Sequence, residues 1–251
     1  MMERVEMFGC PFDRVDLDAA VQQAEAYIDR GDRLYQSVGV NLDQLLKMQR
    51  DPGFAGIITR CDQITADGQP VVWISRLLGE PLPARVPSVD IMEALLPRAA
   101  ERGDGVFLLG ARRHSVEQAA VAFRRRWPGL HITGVQDGYF SVDEEPDIVR
   151  RINEVGTDIL FIAISSPKKE EFVERNREAL QARYVLGVGS AFDIAAGLTR
   201  RAPRWMCRTG LEWAWRVWQE PRRMGPRVLD DLAFAPYVMS EFFRRRCQRP
   251  R

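Results

Sequence analysis

Residues 158–164 read Asp158 followed by Ile-Leu-Phe-Ile-Ala-Ile164, six apolar side chains in unbroken succession. A strand with one wet face alternates polar and apolar positions. A strand apolar at every position needs cover on both faces, as at the centre of a parallel sheet. The flanks fit that reading. Helical spacing of apolar residues predicts a helix over 144–155 before the strand and another over 168–180 after it. Working outward, strands are expected at 130–135 and 105–110 on one side of the chain. Others are expected at 184–188, 34–40 and 64–66. Helices are expected over 15–28, 42–48, 69–78, 89–100 (capped by Ser88), 115–127 and 190–196, while Met7 to Asp13 is a short apolar piece with turn residues. Alternating strands and helices with short connections specify an α/β class: a Rossmann-like parallel-sheet core with helices on both faces, assigned to residues 1–196.

The alternation stops at Gly197. Residues 197–227 hold four of the six tryptophans (Trp205, Trp213, Trp215 and Trp218), interleaved with arginines. Tryptophan favours half-apolar, half-wet sites, and arginine forks bind phosphate in a bidentate way. The stretch reads either as a surface for anionic headgroups or diphosphates, or as an amphipathic core-facing helix with solvated arginines. A second helical pattern follows over 232–243, interrupted by Pro236 and ending in Arg244-Arg245-Arg246. An apolar face with basic ends suits an interfacial helix. Residues 197–251 are therefore expected to form a basic, helical, membrane-binding C-terminal appendage.

The charge distribution agrees. The 251 residues carry a net +1, which gives no footprint for nucleic acid. Residues 200–251 hold 13 arginines and 5 acidic groups, a net +8, against −7 in the first 199. Such polarity steers a basic tail toward an anionic surface. No apolar run of about 18 residues exists, so any membrane contact is expected to be peripheral. MMERVEMFGC has no apolar core region, so no secretory leader is expected. Four cysteines without C-x-x-C spacing and two histidines make a zinc site improbable, and free thiols suit a cytosolic chain.

Among chemistry-bearing residues, Asp67 stands on the turn between a strand's carboxyl end and a helix. Open α/β sheets place ligand-facing groups there; a helix cap is the alternative use of the same aspartate. Asp16-Leu17-Asp18 matches a D-x-D metal-nucleotide pattern, yet also sits where helix dipoles favour carboxylates. Gly110, Ser165 and Gly189 each precede a helix whose N-terminus suits phosphate. No G-x-G-x-x-G follows a strand and no P-loop occurs, which argues against ordinary dehydrogenases and NTPases.

Ordered landmarks along nearly the whole chain carry a resemblance. They are GCPFD, Asn41, ADGQPVVWISRLLGEPLPARV from Ala66, GVFLLGARRHSVEQAA from Gly105, FRRRWPGL, SSPKKEEF from Ser165, GVGSAFDIAAG from Gly187, RAPRW and GLEWAWRVWQEPRR. Together they resemble the WecG/TagA/CpsF glycosyltransferases, also called glycosyltransferase family 26. The resemblance implies inverting transfer, without metal or other cofactor, from a UDP-sugar to a saccharide on a polyprenyl (undecaprenyl) diphosphate. The enzyme would sit peripherally on the inner face of the cell membrane, with a homo-oligomer left open. It implies Asp67 as catalytic base and Asn41, Arg85, Asp90, Lys169, Glu170, Arg216, Arg223 and Arg227 as substrate-binding residues. Three positions depart from the family pattern: Gly39 stands for a threonine, Lys169 for a glutamine, and Ser88-Val89-Asp90 for Gly-Ser-Asp. The departures keep a second reading open, a non-catalytic nucleotide-sugar or lipid-diphosphate binding protein of the same fold.

Overall fold

A computed structural model describes residues 3–203, 205–206, 212–219 and 233–248. Its strands are β1 (Arg4–Met7), β2 (Cys10–Asp13), β3 (Tyr35–Val40), β4 (Gln63–Ala66), β5 (Val106–Gly110), β6 (Ile132–Gln136), β7 (Ile159–Ala163) and β8 (Tyr184–Gly187). Six of them form one sheet in the order β4-β3-β8-β7-β5-β6, and every pair in it is parallel. The apolar run at 158–164 becomes β7, buried at each position and paired on both sides, with β8 and β5.

Helices cover both faces. On one lie α1 (Leu17–Arg30), α5 (Ser88–Arg102), α6 (Arg113–Arg126) and α9 (Ala191–Ala195), sharing a core with Phe161, Tyr184 and Leu186. On the other lie α2 (Leu42–Arg50), α3 (Pro52–Thr59), α7 (Glu145–Glu154) and α8 (Lys168–Arg175), with α4 (Gln69–Leu77) beside β4. The α/β reading with a parallel sheet and two helical layers is therefore correct. No helix among the described residues is long and apolar enough to cross a membrane.

Three local readings change. Met7 to Asp13 is part of an antiparallel hairpin: Met7 pairs with Cys10, and Phe8 and Gly9 both take positive φ, 55° and 74°. That is the backbone of a two-residue turn matched to strand twist. Four-residue strands are too short for their alternation to register as a pattern. Asp13 then ties the hairpin to the sheet edge, its carboxylate accepting from Ile64 N–H at 2.8 Å and from Arg4 Nε at 2.8 Å. Helix α3, hidden by its glycines, starts on the Asp51 cap, which accepts from the N–H groups of Gly53 and Phe54.

The third change concerns the end of the chain. The pattern is broken by a turn at Phe234, and Pro236 occupies the first turn of a helix that runs on through the three arginines. Among the described residues this region holds helices α10 (Glu212–Gln219) and α11 (Ala235–Gln248). Proline is tolerated in a first turn, where the missing N–H has no partner to lose. Phe234, at the head of α11, is 1% exposed and meets Phe8 edge-on at 4.8 Å. Val238 and Phe242 pack on the same cluster, and Arg245 donates to the Glu6 carbonyl. Part of the apolar face expected to meet a membrane is thus spent on the core, while Met239 and Phe243 remain exposed.

Candidate active site

Asn41, Asp67, Lys169 and Glu170 lie at the carboxyl end of the sheet. Asn41 follows β3 directly and is the N-cap of α2. Its side chain accepts from Gln44 N–H at 3.1 Å, and its own N–H donates to Gln44 Oε1 at 3.1 Å, completing a capping box. Asp67 follows β4, with its N–H on the Val40 carbonyl at 3.0 Å. Helix α4 takes Gly68 as its N-cap, without a side-chain capping bond. Asp67 stands one residue ahead of that N-cap. The backbones of Asn41 and Gly68 run close: a β-carbon on Gly68 would lie 3.6 Å from Asn41 Cβ.

The segment before α5 closes this corner. Val86 N–H donates to the Ala66 carbonyl at 2.8 Å, and Thr65 Oγ1 donates to the Val86 carbonyl at 2.9 Å. This lays half-buried Arg85 alongside the end of β4, next to Asp67. Ser88, expected to cap the following helix, is instead its first residue, the cap being Pro87. Its hydroxyl packs over Gly39: a β-carbon at residue 39 would stand 2.5 Å from Ser88 Oγ and 2.8 Å from Asp67 Oδ2. The absent side chain at 39 is what admits both groups.

On the other side of β3, Lys169 and Glu170 occupy the first turn of α8 and are both buried. Lys169 Nζ donates to Glu170 Oε1, and its stem lies against Gly187, where a β-carbon would come within 2.5 Å of Cε. Gln44 Nε2 donates to the same carboxylate oxygen at 3.2 Å. The ammonium of Lys169, implied by the resemblance to bind substrate, is paired with Glu170 in this structure.

Asp90, in the first turn of α5, forms an ion pair with Arg201. Arg201 belongs to the segment after Gly197, and its neighbour Arg200 is held by α10. Gln219 exchanges two hydrogen bonds with the Arg200 backbone, at 3.2 and 2.9 Å, and the Trp215 indole N–H donates to the Arg200 carbonyl at 3.1 Å. Trp205 and Trp218 are largely exposed. Arg216 falls within α10, and Arg223 and Arg227 lie outside the described residues. Asp16 of the D-x-D pattern caps α1, accepting from Ala19 N–H.

The loops after β5 and β7 leave the sheet in opposite directions, to helices on opposite faces. That divergence is where open α/β folds bind ligands. Its walls are tight: Gly110 has φ +122°, and a β-carbon there would meet the Ala163 backbone at 2.6 Å.

The structure thus unites Asn41, Asp67 and Arg85 in one corner and links Lys169 and Glu170 to it through Gln44. Sequence reasoning missed Gln44 and Arg201 as members of the site. The N-x-x-Q spacing from Asn41 to Gln44 was the available signal for Gln44; nothing local distinguishes Arg201 from its neighbouring arginines.

With this geometry in hand, comparison with known proteins is informative. The model of the glycosyl transferase WecG/TagA/CpsF family matches residues 5–248. The N-acetylglucosaminyldiphosphoundecaprenol N-acetyl-beta-D-mannosaminyltransferase of Bacillus spizizenii is 31% identical over 174 residues, covering 69% of this chain and 67% of that protein. Spanning nearly all of the sheet, both helical layers and the final helix, the match means that the chain belongs to the WecG/TagA/CpsF glycosyltransferase family.

Proposed function

We propose that the protein transfers a sugar from a UDP-sugar to a saccharide carried on a polyprenyl diphosphate, with inversion, in the assembly of a cell-envelope polysaccharide. The observation that carries this reading is the position of Asp67. It stands at a strand's carboxyl end, beside Asn41, where the segment after Arg85 meets the end of β4. In the proposed step its carboxylate accepts the proton of the acceptor hydroxyl as that oxygen bonds to the anomeric carbon. The bond to the UDP oxygen breaks on the opposite face, and its electron pair leaves with the diphosphate. Arg216, Arg223 and Arg227 would meet that charge, so that no metal is required. The N-termini of α6 and α8, which follow β5 and β7 and carry no side-chain cap, suit the donor's phosphates.

The relative's name supplies the first substrates to try: an N-acetylmannosamine donor and an N-acetylglucosaminyl-diphosphoundecaprenol acceptor. Residues 197–251, net basic and carrying exposed Trp205, Trp218, Met239 and Phe243, would hold the enzyme on the anionic inner face of the membrane. The test measures UDP release from a panel of UDP-sugars with a short-chain polyprenyl-diphosphate saccharide, in the presence of a chelator. Acceptor-dependent release is expected with at least one donor. Binding of donor without any release would instead favour the non-catalytic reading.

A further inference from the structure

Two strand-end loops meet at Gln44. Its amide oxygen accepts from the Asn41 N–H, fixing the loop after β3, and its amide nitrogen donates to Glu170 Oε1, fixing the first turn of α8 after β7. One turn along the same helix, Lys47 Nζ donates to the Ser166 carbonyl at 3.3 Å. Helix α2 therefore grips the 165–170 loop at two points. The carboxylate so held is asymmetric. Oε1 receives both Lys169 and Gln44, while Oε2, equally buried, has no hydrogen-bond partner among the described residues. Glu170 is 1% exposed. An unmatched buried carboxylate oxygen is costly unless a donor reaches it.

We propose that Gln44 is a positioning residue of this transferase. By occupying Glu170 Oε1 together with Lys169, it leaves Oε2 as the acceptor for a substrate hydroxyl or amide N–H. By holding Asn41 in the same grip, it keeps the two strand ends at the spacing the sugar requires. The Lys169 ammonium compensates the charge, so the pair presents a neutral-sugar acceptor site rather than a cation for an acidic one. Gln44 touches no substrate in this scheme and acts through Asn41 and Glu170. The inference rests on the functional reading above.

The test uses the full chain and two replacements. Gln44→Glu keeps the acceptor for Asn41 N–H and a residue type suited to a capping box, but exchanges the amide donor for a carboxylate that repels Glu170 Oε1. Gln44→Met loses both bonds at similar volume. Each is also made in a Glu170→Gln background. Losing a buried hydrogen bond to a charged group should lower kcat on the order of tenfold to a hundredfold, with KM for the donor little changed. In the Glu170→Gln background Gln44→Glu, which keeps the Asn41 bond, should cost little more, while Gln44→Met should retain the part of its loss that runs through Asn41. An equal loss in both backgrounds would mean that Gln44 serves only to cap the helix, and would overturn the proposal. Amide hydrogen exchange supplies a readout that needs no turnover. Gln44→Glu should accelerate exchange across residues 165–172, and unchanged exchange there would also overturn it. Wild-type protein that fails to turn over any donor, while Gln44→Glu shows that acceleration, would sink the functional reading and leave the grip of Gln44 intact.

Discussion

The Asp67 carboxylate lies in space that a side chain on Gly39 would fill. A β-carbon at residue 39 would stand 2.8 Å from Asp67 Oδ2 and 2.9 Å from Asp67 Cβ, closer than real β-carbons approach their neighbours. Gly39→Ala must therefore move the carboxylate, Ser88 or both. Misplacing a reacting group by a fraction of an ångström to an ångström costs up to about a hundredfold in rate. We expect Gly39→Ala to lower kcat by roughly ten- to a hundredfold while the protein remains folded. Steady-state kinetics beside a thermal melt would check this. Wild-type kcat in folded Gly39→Ala would mean that the position of Asp67 does not matter.

Asp67→Asn removes the base and keeps the shape. Asparagine is nearly isosteric with aspartate, so the replacement should leave the melting temperature and donor binding near wild type. Turnover should fall by about 10²–10⁴, the usual contribution of general-base catalysis. Calorimetry with the active UDP-sugar and a UDP-release assay separate the two effects, and near-normal turnover would remove Asp67 from the mechanism.

Lys169→Met would leave Glu170 buried beside an apolar side chain. Removing one partner of a buried ion pair commonly costs about 3 kcal/mol or more, because the remaining charge is uncompensated. Urea unfolding should show a loss of that order. The double replacement Lys169→Met/Glu170→Gln should recover much of it. Stability unchanged by Lys169→Met would mean that the ammonium contributes little to the pair.

Glu241 sets a pH dependence on the docking of α11. Burial works against its charge, but hydrogen bonds from the Arg245 and Arg244 guanidiniums hold its carboxyl below the usual glutamate range. A depressed folded value stabilises the fold above the ordinary value of 4.5, and that contribution disappears as pH falls through the lower folded value. Wild type should melt a few degrees above Glu241→Gln at pH 7, for a partly exposed network of about 1 kcal/mol. The gap should close below about pH 4. A gap that persists or widens in acid would contradict the assignment.

Phe234 should behave as a core residue. Deleting a buried phenylalanine ring typically costs about 3–5 kcal/mol, and Phe234→Ala should destabilise the whole protein by that order in chemical unfolding. Truncation ahead of residue 233 should expose the same cluster around Phe8. A Phe234→Ala protein as stable as wild type would mean that α11 contributes nothing to the core.

Much of this molecule is written locally. The unbroken apolar run at 158–164 announces a strand covered on both faces, because side-chain period and burial follow directly from neighbouring residues. The same holds for the helices between the strands, and for the placing of Asn41 and Asp67 at strand ends. The element order, the layer type and the end of the sheet where chemistry belongs were therefore legible along the chain. The rest depends on strand order and register, which bring together residues far apart in the chain. Gly39 meets Ser88 and Asp67 only because β3 lies beside β4 with α5 above them. Gln44 reaches Glu170, 126 residues away, only because α2 and α8 share a face. Lys169 looked like a cation for substrate until the fold laid it over Gly187 and against Glu170. Phe234 looked like a membrane-facing residue until the Phe8 turn was built beneath it. An apolar or charged side chain carries no mark of which partner will cover it, so only the tertiary structure decided which of these groups were spent inside the protein and which were left for a ligand.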